Sequence, residues 1–157
     1  MALKMEKRLH EKGIHSVVLD GDNLRSGLNQ DLSFSEKDRR ENIRRVSEVA
    51  KIFTANGLIV FVSLITPLRE FRQSARTIIG DHYFQEVFVK ASFNTCQERD
   101  VKGLYAKASD GLVPSFTGQG SDFEEPVDQQ FIIDSEKESE DISSEKLFQF
   151  VLDSISL

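Results

Sequence analysis

The chain has 157 residues, of which 39% are hydrophobic, and a formal net charge of −6 with a pI near 5.1. This length fits one globular domain, residues 1–157, and the acidic charge argues against nucleic-acid or anionic-membrane binding. The single cysteine, Cys96, excludes an intrachain disulfide, and the three histidines lack metal-site spacing. The sequence has no run of about 18 apolar residues, so no membrane span is predicted. These features predict a cytoplasmic protein.

Apolar periodicity and helix-end signals predict an alternation of helices and strands. Ser35 and Ser92 have the position and side chain of helix N-caps, and Thr66 before Pro67 predicts another helix start. The run from Leu58 to Ile65 is apolar almost throughout, which is typical of a central parallel strand covered on both faces. The predicted elements are a helix at 3–12, a strand at 16–20, a helix at 35–55, a strand at 58–65, a helix at 66–79, a strand at 83–91, a helix at 92–100, a strand at 130–134 and a closing helix with Leu147, Phe148, Val151, Leu152 and Ile155 on its inner face.

Two polar segments interrupt this pattern. Val101 to Gln130 is rich in Gly, Ser, Lys and acidic residues and is too long for an ordinary connection, so we predict a lid or substrate loop there. The acidic run from Glu136 to Glu145 is predicted to be a solvated loop. The alternation as a whole predicts an α/β fold with a parallel sheet and helices on both faces, in which ligands bind beyond the carboxyl ends of the strands.

An acidic pair, Asp20 and Asp22, follows the first predicted strand and flanks Gly21. A carboxylate at the carboxyl end of a strand can take a proton from an attacking hydroxyl or help to hold a hydrated Mg²⁺ ion. The alternative is an Asp-Gly turn with a solvated acid.

Arg25, Arg39 and Asn42 are candidates for binding an anion. Arg39 and Asn42 lie three residues apart and share a helical face, where a guanidinium and an amide can grip a phosphate, a sulfate or a purine edge. The alternative is a surface helix laced with ion pairs. Phe34 and Phe116 lie in polar loops, where a ring either stacks on a base or plugs into the core.

Three further side chain types have possible chemical roles. Lys102 and Lys107 in the predicted lid are candidates for neutralising phosphate charge, with solvated lysines as the alternative. Thr66 carries a hydroxyl that could react, although N-capping also explains it. Cys96 is predicted to be a buried helix thiol.

The order of these motifs resembles the adenylylsulfate kinase family. The segment LDGDNLRSGLNQDLSFSEKDRRENIRRVSEVAK is similar to the substrate-binding core of that family, and the similarity continues through GLIVFVSLITPLREFRQSAR, ERDVKGLYAKASDG and FTGQGSDFEEP. The resemblance implies a P-loop kinase fold that transfers the terminal phosphate of ATP, with Mg²⁺, to the 3'-hydroxyl of adenosine 5'-phosphosulfate (APS). The implied product is the 3'-phosphoadenylyl sulfate of sulfate assimilation.

The resemblance also implies roles for single residues. Asp22 matches the catalytic acid, placed near the 3'-hydroxyl and the Mg²⁺ ion. Thr66 stands where bacterial relatives often carry a serine that can be phosphorylated. The other matches are substrate contacts: Arg25, Arg39 and Asn42 to the phosphosulfate and nearby groups, Phe34 and Phe116 as the pair that sandwiches the adenine, Ile65 in the lining of that pocket, and Lys102 as the lid lysine of the KGLY motif.

The sequence departs from the family pattern at its start. The family's first strand and G-x-x-x-x-G-K-[ST] loop are expected immediately before the first helix, and the 157 residues contain no such loop. Without that loop, the phosphates of ATP lose a cradle of backbone N–H groups and its lysine. We therefore expect an N-terminally truncated kinase domain with little phosphotransferase activity of its own. The alternative is a non-catalytic remnant that binds APS without turnover.

The resemblance finally bears on partners. The expected ligands are APS and ATP, and a homodimer or a fusion with a sulfate-adenylating enzyme are further expectations. Val101 replaces a usual proline at the start of the lid, which we expect to be tolerated.

Overall fold

The computed structural model describes residues 1–100, 103, 123–127 and 131–155. The predicted alternation of helices and strands is confirmed over these residues, and most of the predicted lid lies outside them. The elements in chain order are α1 (Ala2–Glu11), β1 (Ser16–Asp20), α2 (Gly21–Arg25), α3 (Glu36–Ala55), β2 (Ile59–Ser63), α4 (Arg69–Ile79), a 3-10 turn (Asp81–Tyr83), β3 (Val87–Lys90), α5 (Phe93–Arg99), β4 (Phe131–Asp134) and α6 (Glu140–Ile155).

The four described strands form two parallel pairs, β1 with β2 and β3 with β4. Parallel pairing confirms the predicted strand direction. The pairs are separate two-stranded sheets, so the hydrogen-bonded ladder is not continuous across the described strands. No residue of β2 is fully buried, although its sequence is that of a central strand.

Helices cover both faces of the strands. One core cluster joins α1, β4 and α6, and a second joins β1 to α3. Successive side chains of β2 reach both clusters, since Ile59 and Phe61 pack against the first and Val60 against the second. The buried members of the two clusters are Met5, Leu9, Ile133, Leu147 and Phe148 in the first, and Leu19, Val46 and Ala50 in the second.

The predicted acidic loop at 136–145 is wrong in its second half, because α6 begins at Glu140. Ser139 Oγ accepts a hydrogen bond from the Ile142 backbone N–H at 3.3 Å, and Glu140 and Asp141 place negative charge in the first turn. Both features stabilise a helix N-terminus. Within the described ranges, no helix has the length and apolar character needed to cross a membrane.

Candidate functional site

The candidate site lies where β1 and β2 end side by side. The two strands pair in register up to Asp20 and Ser63, so Asp22 and Ile65 each follow two residues beyond the paired ends. Because both strands run in the same direction, their carboxyl ends meet at one edge of the sheet. The structure therefore brings Asp22 and Ile65 to the same edge, where the sequence predicted a site that includes Asp22.

The two predicted acids have different surroundings. Asp20 is the N-cap of α2, where its Oδ1 accepts hydrogen bonds from the backbone N–H groups of Asp22 at 3.0 Å and Asn23 at 3.3 Å. Gly21 allows a close approach to the neighbouring strand end, since a Cβ there would lie 2.7 Å from Leu64 Cδ2. Asp20 is thus occupied in capping, and Asp22 is the exposed carboxylate in the first turn of α2.

Phe34 is an exposed ring held beside an arginine. Its exposed fraction is 48%, which excludes the alternative that this ring plugs into the core. The Arg25 guanidinium carbon lies 4.2 Å from the ring centroid, a distance typical of a cation–π contact. Arg25 Nη1 also donates to the backbone carbonyls of Leu32 at 3.2 Å and Ser33 at 3.1 Å, which fixes the loop that leads to Phe34.

Arg39 approaches the same ring from α3. Its Nε donates to the Phe34 carbonyl at 3.0 Å, and its guanidinium carbon lies 5.8 Å from the ring centroid. Burial lowers the pKa of both arginines, and the like charge of Arg25 lowers that of Arg39 further. A bound anion would offset the burial of the two guanidinium groups and the effect of the Arg25 charge on Arg39.

Asn42 follows Arg39 on the next turn of α3, and it is 5% exposed. Its Oδ1 accepts a hydrogen bond of 2.9 Å from Nδ2 of Asn29, a residue that the sequence reasoning missed. Asn29 is fully buried although it lies in a polar loop. Neither periodicity nor composition predicts this burial, since it depends on how the loop folds over α3.

Other arginines of α3 bear out the alternative interpretation of a surface helix laced with ion pairs. Arg44 pairs with Glu41 at 2.8 Å, and Arg40 pairs with Glu70 of α4 at 2.6 Å. Arg45 is partly buried and binds both carboxylate oxygens of Asp31 at 2.7 and 2.9 Å. The helix therefore has an ion-paired face beside the face that carries Arg39 and Asn42.

The predicted N-cap at Thr66 is wrong. The N-cap of α4 is Leu68, whose side chain makes no capping hydrogen bond. Glu124 replaces the cap, because its carboxylate accepts from the Arg69 backbone N–H at 2.6 Å. The Thr66 carbonyl instead accepts from Arg72 Nη1 at 2.7 Å, so capping no longer explains the Thr66 hydroxyl.

The remaining candidates are placed unevenly. Ile65 is 69% exposed beyond the end of β2. Cys96 is a half-buried free thiol on α5 and not a fully buried one as predicted. Lys102, Lys107 and Phe116 lie outside the described residues, so their roles stay predictions.

Comparison with known proteins identifies the relatives of this chain. The sequence profile of the adenylylsulphate kinase family matches residues 1–134. A probable adenylyl-sulfate kinase of Halalkalibacterium halodurans is 47% identical over 151 residues, which cover 96% of this chain and 75% of that protein. The adenylyl-sulfate kinase of Bacteroides thetaiotaomicron is 44% identical, with 99% of this chain and 77% of that protein covered.

A solved structure agrees with these sequence matches. The Mycobacterium tuberculosis APS kinase CysC, in complex with AMPPNP and APS, superposes with a TM-score of 0.88 at 41% identity, covering 99% of this chain and 88% of that one. The fold is therefore the α/β fold of a P-loop-type kinase, a class of phosphotransferases. Within that class, the chain belongs to the adenylylsulfate kinase family.

Proposed function

We propose that this chain binds APS and serves its ATP-dependent phosphorylation at the 3'-hydroxyl. The observation that carries the proposal is that Arg25 and Arg39 both lie at the exposed ring of Phe34, with Asn42 one turn from Arg39 on α3. The two guanidinium groups and the amide suit the oxygens of a phosphosulfate, and the ring suits the face of an adenine. The solved relative that binds APS supports this choice of anion.

Asp22 is the proposed general base. In the proposed reaction the 3'-oxygen bonds to the terminal phosphorus of ATP, the bond from that phosphorus to the leaving ADP breaks, and the 3'-hydroxyl proton passes to the Asp22 carboxylate. Asp22 suits this role because it is exposed at the strand edge, whereas Asp20 is engaged as the α2 cap.

Asp22 is also the proposed Mg²⁺ ligand. Among the described residues, no group of three or more His, Cys, Asp or Glu side chains could hold a metal ion. One carboxylate nevertheless fits Mg²⁺, which is usually held by one or two carboxylates, substrate phosphates and water. When bound, the ion supplies charge neutralisation of the transferred phosphate.

The other predicted residues complete the proposed site. Ile65 would line the adenine pocket, and Phe116 would provide the second ring of the sandwich. Lys102 would neutralise phosphate charge from the lid, and the Thr66 hydroxyl, which capping does not use, would face the reaction site or be phosphorylated. The proposed setting is the cytoplasm, with APS and ATP as ligands and a homodimer or a sulfate-adenylating partner as further proposals.

A second candidate function concerns the ATP-binding loop of the family, which these residues do not contain. The 157 residues contain no G-x-x-x-x-G-K-[ST] sequence, the loop whose backbone N–H groups and lysine would hold the ATP phosphates. The second candidate is therefore APS binding without turnover by this chain.

A phosphate-transfer assay separates the two candidates. The 157-residue chain is incubated with APS, ATP and Mg²⁺, and 3'-phosphoadenylyl sulfate is quantified. Turnover that falls by about 100-fold or more in Asp22→Asn supports a general base, and Asp81→Asn, a distant exposed acid, is the matched control. APS binding without product in a folded chain supports the second candidate. Absence of both binding and product contradicts the proposal.

A further inference from the structure

We infer that Asn29 is a positioning residue that sets the orientation of the Asn42 amide toward the ligand, an inference that rests on the proposed APS site. The observation behind it is a hydrogen bond between two buried amides. Nδ2 of Asn29 donates to Oδ1 of Asn42 at 2.9 Å, and the two residues are 0% and 5% exposed. They lie 13 positions apart, on the loop after α2 and on α3.

The backbone holds Asn29 in place independently of this bond. Its N–H donates to the Leu24 carbonyl at 2.8 Å, and its carbonyl accepts from the Leu32 N–H at 3.1 Å. The first bond ties the loop to α2, and the second ties it to the segment that leads to Phe34. The backbone of Asn29 is thus hydrogen-bonded both to α2 and to the segment that leads to Phe34.

The buried amide of Asn29 is energetically unfavourable if it serves packing alone. Its Oδ1 is buried and has no hydrogen-bond partner among the described residues. A buried acceptor without a partner destabilises a fold, and an apolar side chain would avoid that cost. The favourable interaction of this side chain is the hydrogen bond that it donates to Asn42.

That donated bond has a consequence for Asn42. An amide offers one acceptor oxygen and two donor hydrogens, and here the oxygen is bound to Asn29. Among the described residues, Nδ2 of Asn42 has no partner, so the donor is the group left for a ligand. Arg39 lies one turn away on the same helical face, and a donor beside a guanidinium matches the oxygens of an anion.

A double-mutant cycle tests whether Asn29 acts through Asn42. APS is titrated calorimetrically into the 157-residue chain and into Asn29→Ala, Asn42→Ala and the double variant. We expect Asn29→Ala to weaken binding about fivefold, the effect of one neutral hydrogen bond. In the Asn42→Ala background the same change should have no further effect. Two fully additive losses would overturn the inference, because they would mean that Asn29 acts independently of Asn42.

Asp31→Asn is the matched control. Asp31 lies on the same loop and binds Arg45 of the same helix, so this variant loosens the loop without touching the amide pair. Its APS affinity should stay within about twofold of the wild type and should not depend on Asn42. A loss equal to that of Asn29→Ala would mean that loop anchoring alone is responsible, against the inference.

A ligand-free measurement keeps this inference separate from the proposed function. Nitrogen-15 relaxation of the Asn42 side-chain amide should report an ordered group in the wild type and in Asp31→Asn, and a mobile one in Asn29→Ala. If Asn29→Ala does not fold, Asn29→Ser takes its place. An Asn42 amide that stays ordered overturns the inference whatever the binding result. A wild-type chain that does not bind APS refutes the proposed function, and relaxation alone then decides the role of Asn29.

Discussion

The two segments that leave the sheet at the candidate site are held in different ways. The arginine segment (residues 20–45) follows β1, and Arg25 and Arg39 bind backbone carbonyls five to eight positions away. The threonine segment (residues 64–72) follows β2, and its helix start depends on Glu124, 55 positions further along the chain. The first segment is therefore held by contacts within itself, whereas the second combines one local contact, from Arg72 to the Thr66 carbonyl, with contacts to Glu124 in a distant part of the chain.

This difference bears on where ligand affinity should reside. A site that its own segment holds rigid loses less conformational freedom on binding than one that must be assembled. We therefore expect the arginine segment to determine APS affinity and the threonine segment to contribute mainly to stability. Four substitutions test this division.

The largest effect is expected from Arg39→Ala. Removing a charged hydrogen-bond donor from an anion site should weaken APS binding by about 10-fold to 150-fold. Isothermal titration calorimetry measures the change. Arg44→Ala is the matched control, since Arg44 lies on the same helix and pairs with Glu41 at the exposed face. Equal losses in the two variants would show that general positive charge, and not the Phe34 group, binds the ligand.

Gly21→Ala tests the junction between the two segments. The new Cβ would lie 2.7 Å from Leu64 Cδ2 and 3.4 Å from the Ser63 carbonyl oxygen, so the Leu64 side chain must move from its present position. Overpacking of this kind costs about 1–3 kcal/mol of unfolding free energy, measured by urea denaturation. Gly27→Ala is the control, because a Cβ there would meet the Asn23 carbonyl oxygen at 3.9 Å, an ordinary contact distance. An unchanged urea midpoint in Gly21→Ala would mean that the packing at this junction has room for the added methyl group.

Glu124→Ala tests the distant support of the threonine segment. It removes the acceptor for the Arg69 N–H at the start of α4, and loss of such a cap costs about 1 kcal/mol. Thermal unfolding measures the loss, with Glu125→Ala as the neighbouring control. APS affinity should change by less than about twofold. A large loss of affinity in Glu124→Ala would contradict the division between the segments.

The smallest effect concerns pH. Hydrogen bonds from Arg44 and Arg45 lower the pKa of Glu41 from its ordinary 4.5 to about 2. Because the folded state favours the carboxylate, its contribution to stability is complete above pH 4.5 and is lost as the pH falls toward 2. As the pH is lowered from 4.5 toward 2, the thermal unfolding midpoint should fall less steeply in Glu41→Gln than in the wild type. If the thermal midpoints of the wild type and Glu41→Gln fall in parallel with pH, the ion pairs of Glu41 contribute nothing to stability.

The difference between local and distant contacts explains which features the sequence predicted. Ser35 accepts from the Asp38 N–H at 3.2 Å and Ser92 accepts from the Thr95 N–H at 3.2 Å, so both predicted N-caps are confirmed. Each depends on residues three positions apart. The Thr66 cap failed because its replacement comes from Glu124, and no local pattern contains that information.

The candidate site shows the same limit. The sequence predicted that Asp20 and Asp22 lie at a strand end, and the register of β1 and β2 confirms this position because parallel strands bring their carboxyl ends together. The capping role of Asp20 and the burial of Asn29 were missed, since each depends on how a loop folds back on itself or on α3. The chemistry of the site stays a prediction from residue types, spacing and the family resemblance, and none of these shows which polar groups are already used in holding the site together.

A chemical-shift titration of the labelled 157-residue chain with APS tests whether the arginine segment binds this ligand. We predict saturable shifts concentrated in the arginine segment, at Arg25, Phe34, Arg39 and Asn42, and their loss in Arg39→Ala. Shifts confined to other parts of the chain, or no shifts at millimolar APS from a folded protein, would contradict it.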